Sequence, residues 1–206
     1  LPYIPSRRLG QLPVAKREPR LALDGGRSGL DLITRLLGQA RNNLAPGGSL
    51  LLELDATQGP AVKTSAENFY PGSKVSILPD LSGLDRCVEI SLSNYIIHLC
   101  PSAEWLEAQE RGVFMDASLD QHGFIHCSQP QHVLQVANQV FPGSGNLLAL
   151  WIDPAKITSE IRWEPFAGIV YPHIYGPIDL PAVSAVSEIK PDQDGRYRLL
   201  TPPDDI

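Results

Sequence analysis

Cysteine is scarce in this chain: 206 residues hold three, Cys87, Cys100 and Cys127, with no CxxC spacing among them. An odd, scattered set argues against a disulfide framework or a thiolate zinc site and suits reduced thiols in a cytoplasm. Basic charge is also short, since 17 Lys and Arg stand against 23 Asp and Glu, leaving a net charge of −6 at pH 7. Without a basic run, an extended nucleic acid is disfavoured as a partner, although a small site for one phosphate is compatible with this balance. No apolar stretch reaches the ~18 residues of a spanning helix, and the opening LPYIPSRRLG has no apolar signal-peptide core. A soluble, cytoplasmic protein with no membrane partner is therefore expected. The missing initiator Met suggests a chain cut from something longer, or processed. The length suits one sizeable domain or two small ones.

Residues 1 to about 20 are rich in Pro and Arg without a clear period, which predicts a loop holding a short helical turn. Beyond them, Ser28 and Asp31 form a candidate capping pair, and Leu30, Ile33, Leu37, Ala40 and Leu44 recur at helical spacing. Pro46, Gly47 and Gly48 end that helix. SLLLEL, residues 49–54, is a continuous apolar run that predicts a parallel strand covered on both faces. A weaker helix over 58–69 and strands over 74–78 and 86–92 complete an α/β pattern. From about residue 93 the character changes to α+β. NYIIHLC predicts a strand, Ser102 opens a helix that Gly112 closes, and Pro130 sits in the first turn of another. LLALWID, EIRWEP, IVYPHIYG, AVSAVSEI and GRYRLL predict further strands, and the tail TPPDDI is expected to fray. Two domains follow, 1–92 and 93–206.

GFIHCS, residues 123–128, sets His126 beside Cys127 and raises the question of a thiol–imidazole dyad. Neighbours on a strand point to opposite faces, so His126 shares a face with Phe124 and Ser128 while Cys127 joins Ile125 on the other. Cys127 is thus expected in the core, as a free thiol usually is. GGRSG, residues 25–29, reads as a turn into a helix; with no Walker lysine it is not a phosphate loop.

LPYIP, KREPRLALDGGRSGLDLITRLL, LAPGGSLLLEL and SILPDLSGLDRCVEI together resemble the C-terminal half of the methyltransferases that modify the glutamine of protein release factors, over about residues 1–91. The resemblance implies an α/β half of a class I methyltransferase (Rossmann-like) sheet. It also implies that Pro2 and Tyr3 belong to a substrate-binding motif whose leading Asn holds the substrate amide beside S-adenosylmethionine. In these residues that Asn and the Gly-rich cofactor loop are absent. The expectation is no methyl transfer by this chain, with S-adenosylmethionine and a release factor as cofactor and partner of the intact enzyme only. Half a sheet also leaves an apolar edge open to self-association, swapping or docking, which makes a homo-oligomer an expected state.

IIHLCPSAEW, GFIHCSQPQHVLQVAN, LLALWIDPAKI, EIRWEP and YPHIYGPIDL, spanning Tyr95 to about Arg198, resemble a bacterial family catalogued as domain of unknown function 952. That family is grouped by remote similarity with the ADP-ribosyltransferase fold and with RNA 2′-phosphotransferases, which implies a cleft for NAD or ADP-ribose between two small sheets. His98, His126 and His173 each sit in an apolar strand, where an imidazole must find a partner or a ligand. Alternation along YPHIY puts Tyr171, His173 and Tyr175 on one face, a platform for a ring and a ribose. On this reading His98 holds ribose hydroxyls, Ser128 and His126 hold a phosphate near a helix N-terminus, and Tyr175 stacks on a ring. Glu164 would bind ribose hydroxyls or stabilise an oxocarbenium ion, with His98 as the second catalytic candidate.

Plainer roles stand beside these. Any of the histidines can be a satisfied core residue, Ser128 an N-cap, and Glu164 a surface partner of Arg162. Trp105 and Trp163 read as packing residues, and His122 and His132 as solvated positions. The wide histidine spacing carries no metal signature, so no metal site is expected. The choice between a ribosyltransferase, a non-catalytic nucleotide reader or interaction module, and a truncated inactive gene product stays open at the level of sequence.

Overall fold

Each short helix near the N-terminus starts immediately after a proline, which cannot continue a preceding ladder but suits a first turn. In the computed structural model, which describes residues 1–203, these are α1 (Ser6–Leu9) after Pro5 and α2 (Arg20–Leu23) after Pro19. They are followed by α3 (Asp31–Ala40), β1 (Ser49–Glu53), α4 (Gly59–Phe69), β2 (Lys74–Pro79) and β3 (Asp85–Ser91). Ser28 does not cap α3: the helix begins after Leu30, whose N–H donates to the Ser28 hydroxyl at 3.3 Å. Ser28 instead steadies the turn before the helix.

The strands form an antiparallel sheet in the order β1-β3-β2. This corrects the parallel, doubly covered strand expected of SLLLEL. Ser49 pairs with Ser91 and Glu53 with Cys87 in opposite directions, and Leu51 is 59% exposed while Leu52 and Leu54 are buried. An outward-facing Leu hid the period of two, so the run read as continuous. Ile33 and Leu37 of α3 and Val62 and Ala66 of α4 pack with Leu52, Val88 and Ile90 of the sheet. Tyr70, fully buried, donates its hydroxyl to the carbonyl of Leu37 at 2.6 Å and so ties the end of α4 to α3.

The GGRSG turn has a steric task. Gly29 has φ +82°, and a Cβ there would lie 2.3 Å from the Tyr3 carbonyl oxygen. Only glycine allows this backbone to close on the first residues, where Ile4 bridges Asp24.

The two compact units are Leu1–Leu92 and Ser93–Ile206. The second opens with β4 (Ile96–Cys100), α5 (Ser102–Arg111), β5 (Val113–Phe114), α6 (Ala117–His122) and β6 (Ile125–His126). It continues with α7 (Val133–Val140), β7 (Leu147–Ile152), β8 (Glu160–Phe166), β9 (Ile169–Tyr175), β10 (Ile178–Asp179) and β11 (Val183–Ile189). Two three-stranded antiparallel sheets, β11-β7-β4 and β6-β9-β8, and the short β10-β5 pair result. One core joins Ile96 and Leu150 with Ile125, Ile174 and Ile178, and α7 covers a second around Trp151.

GRYRLL is not a strand; Tyr197 makes one isolated bridge to Pro191. The segment is held from the side, because Asn138 accepts from the Tyr197 N–H at 2.9 Å and donates to its carbonyl at 2.8 Å. Of the tail TPPDDI, residues 204–206 lie outside the described residues. Both units are mixed α and β with antiparallel sheets. Among the described residues no helix is long and apolar enough to cross a membrane.

Candidate functional site

The sheet β6-β9-β8 is registered so that His126 faces His173, His173 faces Arg162, and Tyr171 faces Glu164. Because side chains alternate, Ile125, Ile161 and Ile174 turn to the core and the titratable residues gather on the other face. Phe124 joins them: its ring stacks on His173 at 4.2 Å with 22° between planes, and lies 4.8 Å from the His126 ring and 5.2 Å from that of Tyr175. An aromatic and imidazole platform is the outcome.

Glu164 is the hub of this face. His173 donates through Nδ1 to Glu164 Oε2 at 2.6 Å, and the Tyr175 hydroxyl donates to the same carboxylate at 3.1 Å. The imidazole beside it, then the phenol, hold its pKa below the ordinary carboxylate range, so it is ionised at neutral pH. A carboxylate bound to Nδ1–H selects the tautomer that leaves His173 Nε2 as a free acceptor. Arg162 does not pair with Glu164. It makes two 2.8 Å bonds to Glu160 and lies 4.0 Å over the Tyr175 ring. Two residues apart on one face, Glu164 turns inward to His173 and leaves Arg162 to the strand end.

His126 is exposed, with Nε2 3.3 Å from His122 Nδ1 and its ring edge-on to His173 at 5.1 Å. Partial desolvation of the ring by its neighbours, then the imidazoles of His173 and His122, lower its basicity. His122 reaches this position because Gly123, with φ +84°, ends α6 and reverses the chain.

The structure puts His98 and Ser128 elsewhere. His98 is 4% exposed, donates through Nδ1 to the His126 carbonyl at 2.8 Å, and packs edge-on against Phe114. Its Nε2 lies 3.5 Å from Asp116 Oδ2, the limit of a hydrogen bond and better read as an ionic contact when His98 is protonated. Asp116 caps α6 by accepting from the Ser118 N–H at 2.5 Å, and the imidazole, then Ser118, push its pKa strongly down. Ser128 is 2% exposed, exchanges both backbone bonds with Ile97 at 2.8 Å, and caps no helix. Both residues are buried in this structure. His132 is likewise 1% exposed, not solvated, whereas Trp163 is 38% exposed and Trp105 packs on the core.

The dyad question is answered by the alternation. Cys127 is 5% exposed and fully in the core, where burial raises its thiol far above neutral pH; burial pushes Cys100 up to about 12. Neither is a nucleophile in this state. Among the described residues no group of three His, Cys, Asp or Glu side chains could hold a metal ion.

In the first unit, Pro2 and Tyr3 line an open cleft of 620 Å³ together with Leu1, Leu21, Leu23 and Glu53. The Tyr3 hydroxyl donates to Glu53 at 2.7 Å, and that bond pushes its pKa up to about 12. Gln58 was not legible as a support. Its amide donates to the Tyr3 carbonyl at 2.9 Å while its oxygen accepts from the Asp55 N–H at 2.9 Å, fixing this N-terminal segment.

Comparison with known proteins finds a family model described as "Protein of unknown function (DUF952)" over residues 99–186. The release factor glutamine methyltransferase of Moorella thermoacetica is 49% identical over 87 residues, covering 42% of this chain and 31% of that protein. Its counterpart in Thermosynechococcus vestitus is 47% identical over 87 residues, 41% of this chain and 30% of its own. The chain thus spans about a third of the length of these relatives. The crystal structure of protein CC0527 from Caulobacter crescentus is 29% identical and covers 51% of this chain and 94% of its own, with a TM-score of 0.48. Residues 99–186 are therefore similar to the DUF952 family model, and a separate stretch of the chain is similar to part of the release factor glutamine methyltransferases.

Proposed function

We propose that the second unit binds a nucleotide of the NAD or ADP-ribose class on the face built by Phe124, His126, His173 and Tyr175. The observation that carries this reading is the stacked pair Phe124 and His173, with Glu164 held ionised beside it by His173 and Tyr175. Stacked rings suit a base or nicotinamide, and an oriented carboxylate suits ribose hydroxyls or a developing oxocarbenium ion. His98 and Ser128 support the sheet beneath and do not touch the ligand. A fold related to ADP-ribosyltransferases belongs to this same proposal.

Calorimetric titration of the full chain with NAD and ADP-ribose tests it. Saturable heat is expected, lost in Phe124→Ala and kept in His98→Ala if that variant folds; silence with both ligands overturns the reading. Nicotinamide release from NAD then separates a transferase from a nucleotide reader.

For the first unit we infer a C-terminal portion of a release-factor glutamine methyltransferase sheet. S-adenosylmethionine and a release factor serve only a chain that also carries the cofactor loop and the amide-binding Asn. These 206 residues should show no methyl transfer, and turnover with release factor would overturn this. We assign cytoplasmic location on the reduced cysteines, and self-association through the free edge of β1.

A further inference from the structure

His122, His126 and His173 come from α6, β6 and β9 to one place on the open face, and nothing on the sequence required the first of them to be there. His126 touches both others, at 3.3 Å between nitrogens toward His122 and 5.1 Å between rings toward His173. Facing this trio are Arg162, Glu160 and Glu164 of β8 and the phenol of Tyr175, with Asp116 and buried His98 behind. Glu160, Glu164 and Asp116 are all held ionised by their partners. With neutral imidazoles the permanent charges are therefore one guanidinium against three carboxylates, a poor surface for an anion. Protonating the imidazoles reverses that sign, but sets His126 against like charges on His173 and His122, which lower its basicity. An anion between them would relieve the crowding.

We propose that His122, His126 and His173 form a proton-linked subsite for the phosphate groups of the ligand, filled as the imidazoles become charged. The proposal rests on the nucleotide reading for its natural ligand, but the subsite is defined by its own chemistry: a phosphate or diphosphate oxygen accepting from imidazolium N–H groups. His126 Nε2 is shared with His122 in the free state and turns to the anion when both rings are cationic. Binding then takes up protons, and by linkage the affinity for a phosphate ester rises as pH falls through the histidine range. This is opposite to the behaviour of a site built on lysine or a helix N-terminus, whose charge does not change there.

The test uses the full chain. Histidine proton shifts are followed by NMR from about pH 5 to about pH 8, alone and with inorganic pyrophosphate. The titration midpoint of His126 is expected to move up with pyrophosphate, and an unmoved midpoint overturns the subsite. Calorimetry with ADP-ribose and with adenosine gives the second readout. ADP-ribose affinity should weaken on the order of tenfold per pH unit across that range, while adenosine, which lacks phosphate, stays flat. Both His122→Gln and His126→Gln, exposed positions checked for an unchanged melting temperature, should flatten the ADP-ribose profile. A profile that keeps its full slope in His126→Gln also overturns the subsite. A pyrophosphate shift without any binding of ADP-ribose or adenosine would uphold the subsite and remove the nucleotide reading. Binding of ADP-ribose that leaves His126 unmoved would do the reverse.

Discussion

Glu164 accepts from two partners that come from the neighbouring strand, and its replacement separates orientation from charge. In Glu164→Gln the amide can still meet Tyr175, but the ionised partner of His173 Nδ1 is lost. Nucleotide affinity should fall on the order of tenfold with little change in melting temperature, as expected for an oriented charge on an open face. Unchanged affinity would show that the carboxylate serves only the sheet. Asp116 makes the contrasting case, since it is part-buried and serves stability. Its pKa is depressed in the folded state, so its contribution is complete above the unfolded carboxylate value near ~4 and is lost as pH falls through the lower folded value. Asp116→Ala should cost about 1–2 kcal/mol near neutral pH through the lost cap. Much of the difference from the parent should vanish in strong acid, and urea titrations at several pH values will show it. The buried thiols predict that iodoacetamide reaches Cys87, half-buried, well before Cys100 or Cys127 in the folded chain.

The hairpin of β8 and β9 turns on Ala167 and Gly168, with φ +50° and +81°. Left-handed backbone is free for glycine but costs an L residue with a Cβ about 1 kcal/mol, so Ala167→Gly should stabilise the second unit by roughly 0.5–1 kcal/mol. Chemical denaturation monitored by tryptophan fluorescence reads this directly. A loss of stability would mean that the Ala methyl packs usefully there. The same hairpin carries Arg162, Glu164, His173 and Tyr175, so its register and the platform are one structure; a one-residue slip would turn every one of these groups into the core. Much of that was legible. YPHIY and GFIHCS alternate openly, and the faces of Tyr171, His173, Tyr175 and His126 follow from period two alone. SLLLEL hides the same period because three leucines in a row, Leu50 to Leu52, conceal it. GRYRLL carries strand-like residues without being a strand, because its anchor is a side chain 59 residues away, Asn138, which no local pattern announces.

At the scale of the whole molecule the two units differ in what completes them. The second has its sheets packed on two cores, one of them covered by α7, while β1 in the first ends a sheet with no strand pairing its outer edge among the described residues and Leu51 59% exposed. An edge strand of this kind invites pairing. Light scattering should show a mass that rises with concentration, and Leu51→Lys should bring it back toward a monomer; a constant monomer in the parent would remove the proposal of self-association.

The four blocks of the first unit, the change of character near residue 93, the burial of Cys127 and the platform face of β9 were determined by the sequence itself, because each depends on local period, turn chemistry or short motifs. The tertiary structure decided who meets whom. It carried Glu164 to His173 instead of Arg162 and brought His122 back beside His126 through the Gly123 reversal. It also buried His98 and Ser128. Period assigns a residue to a face, but contact between strands and helices far apart in the chain depends on register and packing, which exist only once the core has closed.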